Sequence, residues 1–578
     1  MATLNFKGKS FVQNHHLSVK YHQLIPKKDK SFSVGTRHAV SLNDNLIIHG
    51  DNLKALKALL PTYAGKVKCI YIDPPYNTGN EKWVYNDNVN SPMMQEWLGK
   101  VVDKEDLTRH DKWLCMMMPR LKLLRELLAD NGVICISIDD NELHNLMILM
   151  NETFGENNFR NIIIVRRGVK SVQAQFETID RLAIGAEYVL IYTKYQDYRF
   201  PTCNIELEEA KEGSWNNHWR GTDMPTMRYE LFGIIPKSGQ WRWSKERSFE
   251  AIENYKKLFK EVGKKEAELA QDDIDQWYLK KLEEGEDLDL LRLSSQGKPE
   301  HYVPPTETKF ASSLWTDLKP NGNSQVKKIF GKKVFDNPKS IDLVKRLIKF
   351  CGTSKNDLIF DSFAGSGTTA HAVLDLNKED GGNRKFILVE CEDYADKITA
   401  ERVRRVIKGV GKNPPQSPFA KGGLNSPLLR GDRGVSPTLE KGGKGGFDGL
   451  GGSFSYFELG DPIEMESILE GKKLPSYQEL ARYIFYTATG EEFNPQKVNE
   501  KKHFIGESKE YEVYLFYKPD IDYLKSTALT LDLAKSLSPY KGKKRLVFAP
   551  SKYLDTDYLL EYRIDYCQLP FEIYKLRG

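Results

Sequence analysis

Short apolar runs alternate with amphipathic segments in two separate stretches of the chain. The runs are typical of buried strands, and the segments beside them carry apolar residues at helical spacing. The candidate strands are residues 45–51, 68–73, 132–138, 358–360 and 385–389, and the candidate helices are residues 52–60, 113–128, 340–350 and 368–376. Strands that alternate with helices predict an α/β fold, in which helices cover both faces of a parallel sheet.

The two stretches are separated by a segment of different character, which is rich in aromatic residues and loops and has a charged helical pattern near 245–285. A chain of 578 residues is also too long for one hydrophobic core. We therefore predict an N-terminal arm over 1–40, a first half-domain over 41–160, an insertion over 161–310, a second half-domain over 311–410, a linker over 411–452 and a C-terminal domain over 453–578.

The predicted linker differs in composition from the rest of the chain. It repeats Ser-Pro and Lys-Gly-Gly, and such sequence buries too little apolar surface to offset its chain entropy. We expect a disordered linker or a repeat-derived insertion. Residues 401–450 hold ten Lys or Arg against four Asp or Glu, which accounts for the overall net charge of +5. Net charge therefore gives no indication of a nucleic-acid surface.

Several classes of protein are excluded by what the sequence lacks. No apolar stretch approaches the roughly 18 residues of a membrane span, and the first residues contain no apolar signal core. The seven cysteines are scattered singly, without the spacing of zinc ligands. We expect a cytoplasmic protein with reduced thiols, no metal and no membrane partner.

The motif Asp73-Pro-Pro-Tyr76 directly follows a predicted strand. The Asp73 carboxylate and the Pro74 carbonyl can each accept one N–H of an exocyclic amino group, and Pro75 keeps the backbone rigid. Tyr76 offers a flat face for stacking a base extruded from a duplex. The alternative is a simple turn after a strand, since Asp and Pro favour turns. The position at the carboxyl end of a parallel strand, where α/β sheets bind ligands, favours a site.

A second motif, Asp361-Ser-Phe-Ala-Gly-Ser-Gly-Thr-Thr369, follows a later predicted strand. Its spacing Gly365, Gly367, Ala370 also matches a dinucleotide-binding loop, and Glu390 ends the next strand, where it can bind ribose hydroxyls. The loop alone cannot separate nicotinamide from S-adenosylmethionine. A dehydrogenase has no use for the Asp-Pro-Pro-Tyr motif, so the pair of motifs favours methyl transfer over hydride transfer.

With both motifs in view, the chain resembles the β-class amino-methyltransferases of DNA, and most closely the modification (Mod) subunits of type III restriction-modification systems. The matching runs are Gly50-Asp51, Tyr71 to Gly79, Gly132 to Asp140, Phe335 to Lys339 and Asp361 to Thr369. The resemblance implies a Rossmann-like, S-adenosylmethionine-dependent sheet in circularly permuted order, with an inserted target-recognition domain and a C-terminal α+β domain.

The resemblance also implies roles for individual residues. Those expected at the target base are Asp73, Pro74, Pro75 and Tyr76. Those expected at S-adenosylmethionine are Asp361, Phe363, Gly365 and Gly367 around the methionine part, Glu390 on the ribose, Asp51 near the adenine and Lys339 close to the carboxylate. Thr368 is also expected to bind the cofactor. For Asp51, capping of the helix that follows is an equal and compatible explanation.

The implied substrate is adenine N6 in duplex DNA, reached by base flipping, because the motif begins with Asp instead of Ser. Cytosine N4 remains an alternative with the same geometry. A second alternative is a DNA-recognition subunit with vestigial methylation that targets a partner nuclease, and a third is methylation of protein or RNA.

The insertion holds aromatic residues interleaved with basic ones, a pattern suited to base stacking and phosphate contact. The candidate DNA-binding residues are Trp219, Arg220, Trp241, Arg242, Trp243 and Lys245. Tryptophan also fills the cores of small domains, so a structural role is the alternative. By resemblance alone we expect a homodimer and a possible restriction (Res, helicase-nuclease) partner subunit.

Overall fold

The computed structural model describes residues 3–33, 41–42, 44–78, 109–168, 182–222, 224–410, 447–463, 474–537, 539–540 and 542–569. The chain forms two compact units. The first combines Met1–Pro201 with Ser313–Gly578, and the second is Thr202–Ser312.

The strands, in chain order, are β1 (His22–Pro26), β2 (Phe32–Ser33), β3 (Leu46–His49), β4 (Val67–Ile72), β5 (Leu128–Ile138), β6 (Phe159–Arg166), β7 (Ala186–Thr193), β8 (Asn204–Lys211), β9 (Ser214–Asn217), β10 (Trp219–Arg220), β11 (Gln240–Trp241), β12 (Leu291–Leu293), β13 (Pro299–Val303), β14 (Thr306–Phe310), β15 (Leu314–Trp315), β16 (Leu358–Asp361), β17 (Lys385–Glu390), β18 (Gly409–Val410), β19 (Phe447–Asp448), β20 (Ser453–Pro462), β21 (Phe504–Glu507), β22 (Tyr511–Leu515), β23 (Lys544–Ala549) and β24 (Ile564–Gln568).

The α-helices are α1 (Lys9–Val12), α2 (His15–Ser18), α3 (Asn52–Tyr63), α4 (Arg109–Leu127), α5 (Leu143–Phe154), α6 (Lys245–Val262), α7 (Gln271–Glu283), α8 (Gly322–Phe330), α9 (Ile341–Phe350), α10 (Thr368–Asp380), α11 (Glu401–Lys408), α12 (Tyr477–Thr489), α13 (Ile521–Ser526), α14 (Leu531–Ser536) and α15 (Thr556–Glu561). None of these helices combines the length and apolarity that a membrane span requires.

The first unit is built on one large sheet, and the predicted α/β fold is confirmed. The strand order is β1-β20-β3-β17-β16-β4-β5-β7-β6-β15, with β2 beside β20. Neighbours from β20 to β5 are parallel, whereas β7 runs antiparallel to both β5 and β6. Every residue of β4 is buried, which explains why this strand is a continuous apolar run in the sequence.

The two sequence motifs leave the sheet side by side. β4 and β16 are adjacent and parallel, with Ile70 opposite Phe360. Since the carboxyl ends of parallel strands lie at one edge of a sheet, Asp73 and the loop after Asp361 emerge at the same edge. Residues far apart in sequence therefore meet at one place.

Two predicted boundaries differ from the structure. The insertion was expected to begin at 161, but β6 and β7 belong to the central sheet and the second unit begins only at Thr202. The C-terminal domain was expected to begin at 453, but β20 pairs with β3 in the same central sheet. In both cases an apolar strand completes the large sheet. Residues 411–446 of the predicted linker lie outside the described residues.

The second unit contains the antiparallel pair β10-β11, the pair β8-β14 and the three-stranded sheet β12-β13-β9. Helices α6 and α7 contribute Tyr255 and Trp277 to an aromatic core that also includes Tyr302. Elsewhere, in the first unit, strands β21 to β24 form a four-stranded sheet in which β22, β23 and β24 are parallel.

Candidate active site

Both motifs line one cavity of about 370 Å³ in the first unit. Its wall includes Asp73, Pro74, Tyr76, Glu187, Lys339, Asp361, Phe363, Gly365 and Thr368, together with Arg166, Arg167 and Lys319. Strands β4, β7 and β16 therefore deliver side chains to a common space. Of the residues predicted at the base or at the cofactor, Pro75, Gly367, Glu390 and Asp51 are not on this wall.

Asp73 lies in a compact group of charged and aromatic side chains. The Lys339 ammonium nitrogen Nζ is 3.3 Å from Asp73 Oδ1 and 2.7 Å from Glu187 Oε2. Nζ also donates to the Tyr76 hydroxyl at 2.5 Å and lies 4.8 Å from the centroid of the Tyr76 ring. One lysine thus joins two carboxylates across the base motif.

The environment shifts the acidity of these groups. Burial raises the pKa of Asp73 to about 6, although the Lys339 charge opposes the shift. Burial disfavours the charged ammonium of Lys339 and so lowers its pKa. The nearby carboxylates of Asp73 and Glu187 have the larger combined effect and raise the pKa of Lys339 above its ordinary value. Lys339 is therefore charged at neutral pH, and Asp73 is mainly ionised above about pH 6.

The Asp-Pro-Pro-Tyr backbone is fixed from one side by a tryptophan. Trp113, a fully buried residue of α4, donates from Nε1 to the Pro75 carbonyl at 2.6 Å. Within the described part of the chain, the Pro74 carbonyl has no donor. Tyr76 is 8% exposed, and burial raises its pKa well above the ordinary value, so its hydroxyl stays protonated.

Asp361 holds the start of the glycine loop. Its Oδ1 accepts from the Phe363 backbone N–H at 3.0 Å, and its Oδ2 accepts from the Thr369 hydroxyl at 2.5 Å. Burial raises the pKa of Asp361 to about 7, against these two donors. The carboxylate therefore ties both ends of the loop together.

The glycines serve the turn into α10. Gly367 has φ +78° and precedes the first residue of the helix, and a Cβ there would lie 3.1 Å from the Thr399 carbonyl oxygen. A residue with a side chain would be strained at this positive φ and would also press against the backbone of Thr399. The fully buried Arg402 donates to the Ser366 and Thr368 hydroxyls at 2.7 and 2.9 Å, which fixes the loop from behind.

Glu390 and Asp51 are not among the residues that line the cavity. Glu390 accepts from the backbone N–H groups of Gly365 and Glu392, and burial raises its pKa to about 8. Asp51 caps α3 by accepting from the Lys54 N–H at 3.0 Å. Its other oxygen accepts from the buried Arg120 at 3.4 Å. The capping explanation for Asp51 is thus confirmed.

The donor set fits S-adenosylmethionine. The carboxylates of Asp361 and Glu390 suit amino and hydroxyl groups, Phe363 offers an apolar ring, and the Ser362 hydroxyl is buried with no partner among the described residues. No cluster of three or more potential metal ligands occurs in the described ranges.

The predicted DNA-binding residues, all in the second unit, differ in their exposure to solvent. Trp219 is 41% exposed, whereas Trp241 is 2% exposed and donates to the Tyr229 carbonyl at 2.8 Å. Trp241 has the structural role that was the alternative, because its ring packs with Leu231, Ala251 and Leu291 in the core. Arg220, Arg242 and Lys245 are exposed, and Trp243 is half-buried.

Sequence reasoning missed Glu187, Trp113 and Arg402. Glu187 lies near the start of β7, inside the segment assigned to the insertion, and nothing local marks it as a partner of Lys339. Arg402 lies in the amphipathic helix α11, where an arginine is ordinary. A lone acidic residue at the start of an apolar strand could have indicated Glu187 as a site residue. That inference required the strand to be assigned to the central sheet.

Comparison with known protein families identifies one to which this chain can be assigned. Residues 67–401, which contain both motifs and the cavity wall, match the model of the DNA methylase family. This chain belongs to that family. The DNA methylase match spans more than half of the 578 residues and confirms the resemblance predicted from the motifs.

Three curated DNA methylase relatives show the same likeness. The type III restriction-modification enzyme StyLTI Mod subunit of Salmonella typhimurium is 29% identical over 71% of this chain and 64% of its own. The EcoPI Mod subunit of Escherichia phage P1 is 30% identical over 70% and 68%. The type II methyltransferase M.KpnI of Klebsiella pneumoniae is 32% identical over 59% and 79%. The chain therefore spans just under two thirds of the length of the StyLTI subunit.

Proposed function

We propose that this chain is a site-specific DNA methyltransferase that transfers a methyl group from S-adenosylmethionine to adenine N6. One observation carries the proposal: the Asp73 carboxylate, the Tyr76 ring and the glycine loop line a single cavity. Methyl transfer to an amino nitrogen requires acceptors for the amino group beside a loop that holds the methyl donor.

S-adenosylmethionine supplies, when bound, a methyl group already activated on a sulfonium sulfur. Asp361, Phe363, Gly365 and Thr368 would hold it from the cavity wall, and Glu390 would support Gly365 from behind. The shared cavity keeps this loop beside the base motif, so the protein contributes proximity and orientation.

The base motif acts on the amino nitrogen. Asp73 and the Pro74 carbonyl accept its two N–H groups, which draws the nitrogen lone pair out of the ring plane, and Tyr76 stacks on the flipped base. As positive charge develops on nitrogen, the Asp73 carboxylate stabilises it and can take up the proton that nitrogen loses. The exposed cations Arg166 and Lys319 on the wall are suited to phosphates beside the flipped nucleotide.

The choice of adenine rests on Asp as the first residue of the motif, and cytosine N4 is the second candidate because both amino groups need the same two acceptors. The likeness to the StyLTI and EcoPI Mod subunits supports a type III modification subunit. A Res partner subunit and a homodimer are part of this proposal by family resemblance. The second unit, with exposed Trp219, Arg220 and Arg242, would recognise the target sequence.

The test is to incubate the full chain with methyl-labelled S-adenosylmethionine and mixed-sequence duplex DNA, then digest the DNA to nucleosides. Label in N6-methyladenine supports the proposal, label in N4-methylcytosine favours the second candidate, and label that resists DNA nuclease indicates protein or RNA. Sequencing the methylated DNA would give the recognition sequence.

The Asp73→Ala variant should lose transfer while it still binds DNA and S-adenosylmethionine. Asp130→Ala is the matched control, since Asp130 follows α4, is 80% exposed and lies away from the cavity wall. Transfer by Asp73→Ala at the wild-type rate would refute the assigned chemistry. DNA binding without transfer by the wild type would point to a recognition subunit with vestigial methylation.

A further inference from the structure

The Lys339 ammonium lies where the target base is expected. It contacts both elements of the base motif, since Nζ is 3.3 Å from Asp73 Oδ1 and lies over the Tyr76 ring at 4.8 Å from the centroid. An exocyclic amino group that Asp73 accepts would need the same oxygen, and a stacked base would need a face of the same ring. The lysine and the base therefore compete for one position.

Glu187 gives the ammonium a second carboxylate. Its Oε2 is 2.7 Å from Lys339 Nζ, a shorter distance than the one to Asp73. The side chains of Lys339 and Glu187 are 14% and 12% exposed, so neither exchanges its partner freely for water. A charge displaced from Asp73 would still be neutralised by Glu187.

The backbone of Lys339 is tied to the glycine loop, but its side chain is long. The Thr368 hydroxyl donates to the Lys339 carbonyl at 3.4 Å. The four-carbon stem of a lysine rotates readily, so the ammonium can move between two carboxylates while the backbone stays in place. The backbone contact explains why the residue adjoins the cofactor loop although its charge points to the base motif.

We propose that Lys339 is a positioning residue of the base pocket: in the base-free protein its ammonium occupies the place of the target amino group on Asp73, and Glu187 retains it when the base enters. This inference rests on the proposed function. Family resemblance implies that Lys339 lies at the cofactor carboxylate. The present proposal assigns Lys339 to the target base instead. The entering amino group then meets an Asp73 carboxylate that has been freed from its counter-ion.

The proposal predicts opposite effects of the two partners on Asp73. The charged or titratable groups that face Asp73 are Lys339, Glu187, Tyr76, Tyr71 and Asp361. Among them the Lys339 charge lowers the pKa of Asp73 and the Glu187 charge raises it. Transfer needs Asp73 ionised, so the acidic limb of the rate profile follows this pKa.

The experiment measures kcat/KM for DNA against pH, and the Kd of S-adenosylmethionine by calorimetry without DNA. Lys339→Met should move the acidic limb up by about one pH unit, and Glu187→Gln should move it down. The Kd of S-adenosylmethionine should change little in either variant. A loss of cofactor affinity of about tenfold or more in Lys339→Met, the loss expected for a charged hydrogen bond, would overturn the proposal.

Lys345→Met is the matched control, because Lys345 also joins two carboxylates, Asp375 and Glu379, but lies on α9 away from the cavity wall. In the Lys345→Met variant, the acidic limb of the kcat/KM profile should lie at the same pH as in the wild type. If Lys339→Met fails to fold, Glu187→Gln decides: a limb that moves down supports the proposal, and an unmoved or raised limb overturns it. Absence of transfer by the wild type would instead contradict the proposed function, and the calorimetry would still test the role of Lys339.

Discussion

Trp113 donates the indole hydrogen bond that immobilises the Pro75 carbonyl, at an Nε1 to oxygen distance of 2.6 Å. This contact uses one of the two proline carbonyls of the base motif and leaves that of Pro74 for the ligand. Proline also fixes φ at both residues, which restricts the backbone that carries the two carbonyls. A buried tryptophan on α4 thereby holds the residue next to an acceptor on the cavity wall.

We expect Trp113→Phe to lower kcat/KM for methylation by about fivefold, since one hydrogen bond contributes about 1 kcal/mol and a factor of ten corresponds to about 1.4 kcal/mol. The ring volume is largely kept, so the fold should persist. Initial rates measured beside Trp277→Phe, which loses an indole bond to Glu261 in the second unit, provide the comparison. Equal rates in the two variants would contradict the role of Trp113.

Asp361 makes stability depend on pH. Its folded pKa, raised to about 7 from 3.8, means that the folded protein keeps a proton that the unfolded chain releases. Stability contributed by this group is therefore present at low pH and is lost as pH rises towards 7. Asp361→Asn removes the ionisation, while an amide can still accept from Phe363 and donate to Thr369.

The stability advantage of Asp361→Asn over the wild type should grow by about 2 kcal/mol between pH 5 and pH 8. Urea unfolding at the two pH values measures it. The same variant should bind S-adenosylmethionine more weakly if Asp361 contacts the methionine part. A constant difference in stability across this range would show that Asp361 is ionised in the folded protein at pH 5.

Asp51 caps α3 and also pairs with the buried charge of Arg120. Two substitutions separate the contributions of the cap and the ion pair to stability. Asp51→Ala removes the cap of α3, worth about 1 kcal/mol, and the carboxylate beside Arg120, worth about 3 kcal/mol. Asp51→Asn keeps the cap and should lose less. Chemical denaturation of both variants tests the order, and equal losses would mean that the cap contributes nothing.

Trp219 and Trp241 are opposite each other in the antiparallel pair β10-β11 but should respond differently to substitution. Trp219→Ala should weaken DNA binding by about 1–3 kcal/mol, the usual value of a stacked base, with little change in stability. Trp241→Ala should destabilise the second unit by about 3–5 kcal/mol. Fluorescence anisotropy with the target duplex and thermal unfolding give the two readouts. Unchanged DNA affinity in Trp219→Ala would exclude this tryptophan from the interface.

The sequence allowed prediction of the strands that carry the two motifs, because β4 and β16 are buried on both faces and are therefore continuous apolar runs. The common edge followed from parallel strands that end in Asp73 and in the loop after Asp361. Asp51 was correctly recognised as a possible cap, since it directly precedes the apolar pattern of α3.

The partners of these residues could not be predicted, because they come from elements distant in sequence. Glu187 reaches Lys339 from β7, a strand whose antiparallel place beside β5 depends on the whole sheet. Arg402 reaches the glycine loop from α11. The exposure of Trp219 and the burial of Trp241 depend on the packing of the second unit, which aromatic and basic composition leaves undetermined.

The placing of β17 and β16 between β3 and β4 has a consequence for biosynthesis. β3 and β4 are made before β16 and β17, the two strands that separate them in the sheet. The edges of β3 and β4 that pair with β17 and β16 therefore stay unpaired until residues 358–390 emerge. An unpaired strand edge can pair with another chain, so the nascent first half is prone to aggregation until those residues are made. For the same reason, the halves on either side of the second unit should assemble when expressed as two separate polypeptides, each supplying the strands that the other lacks.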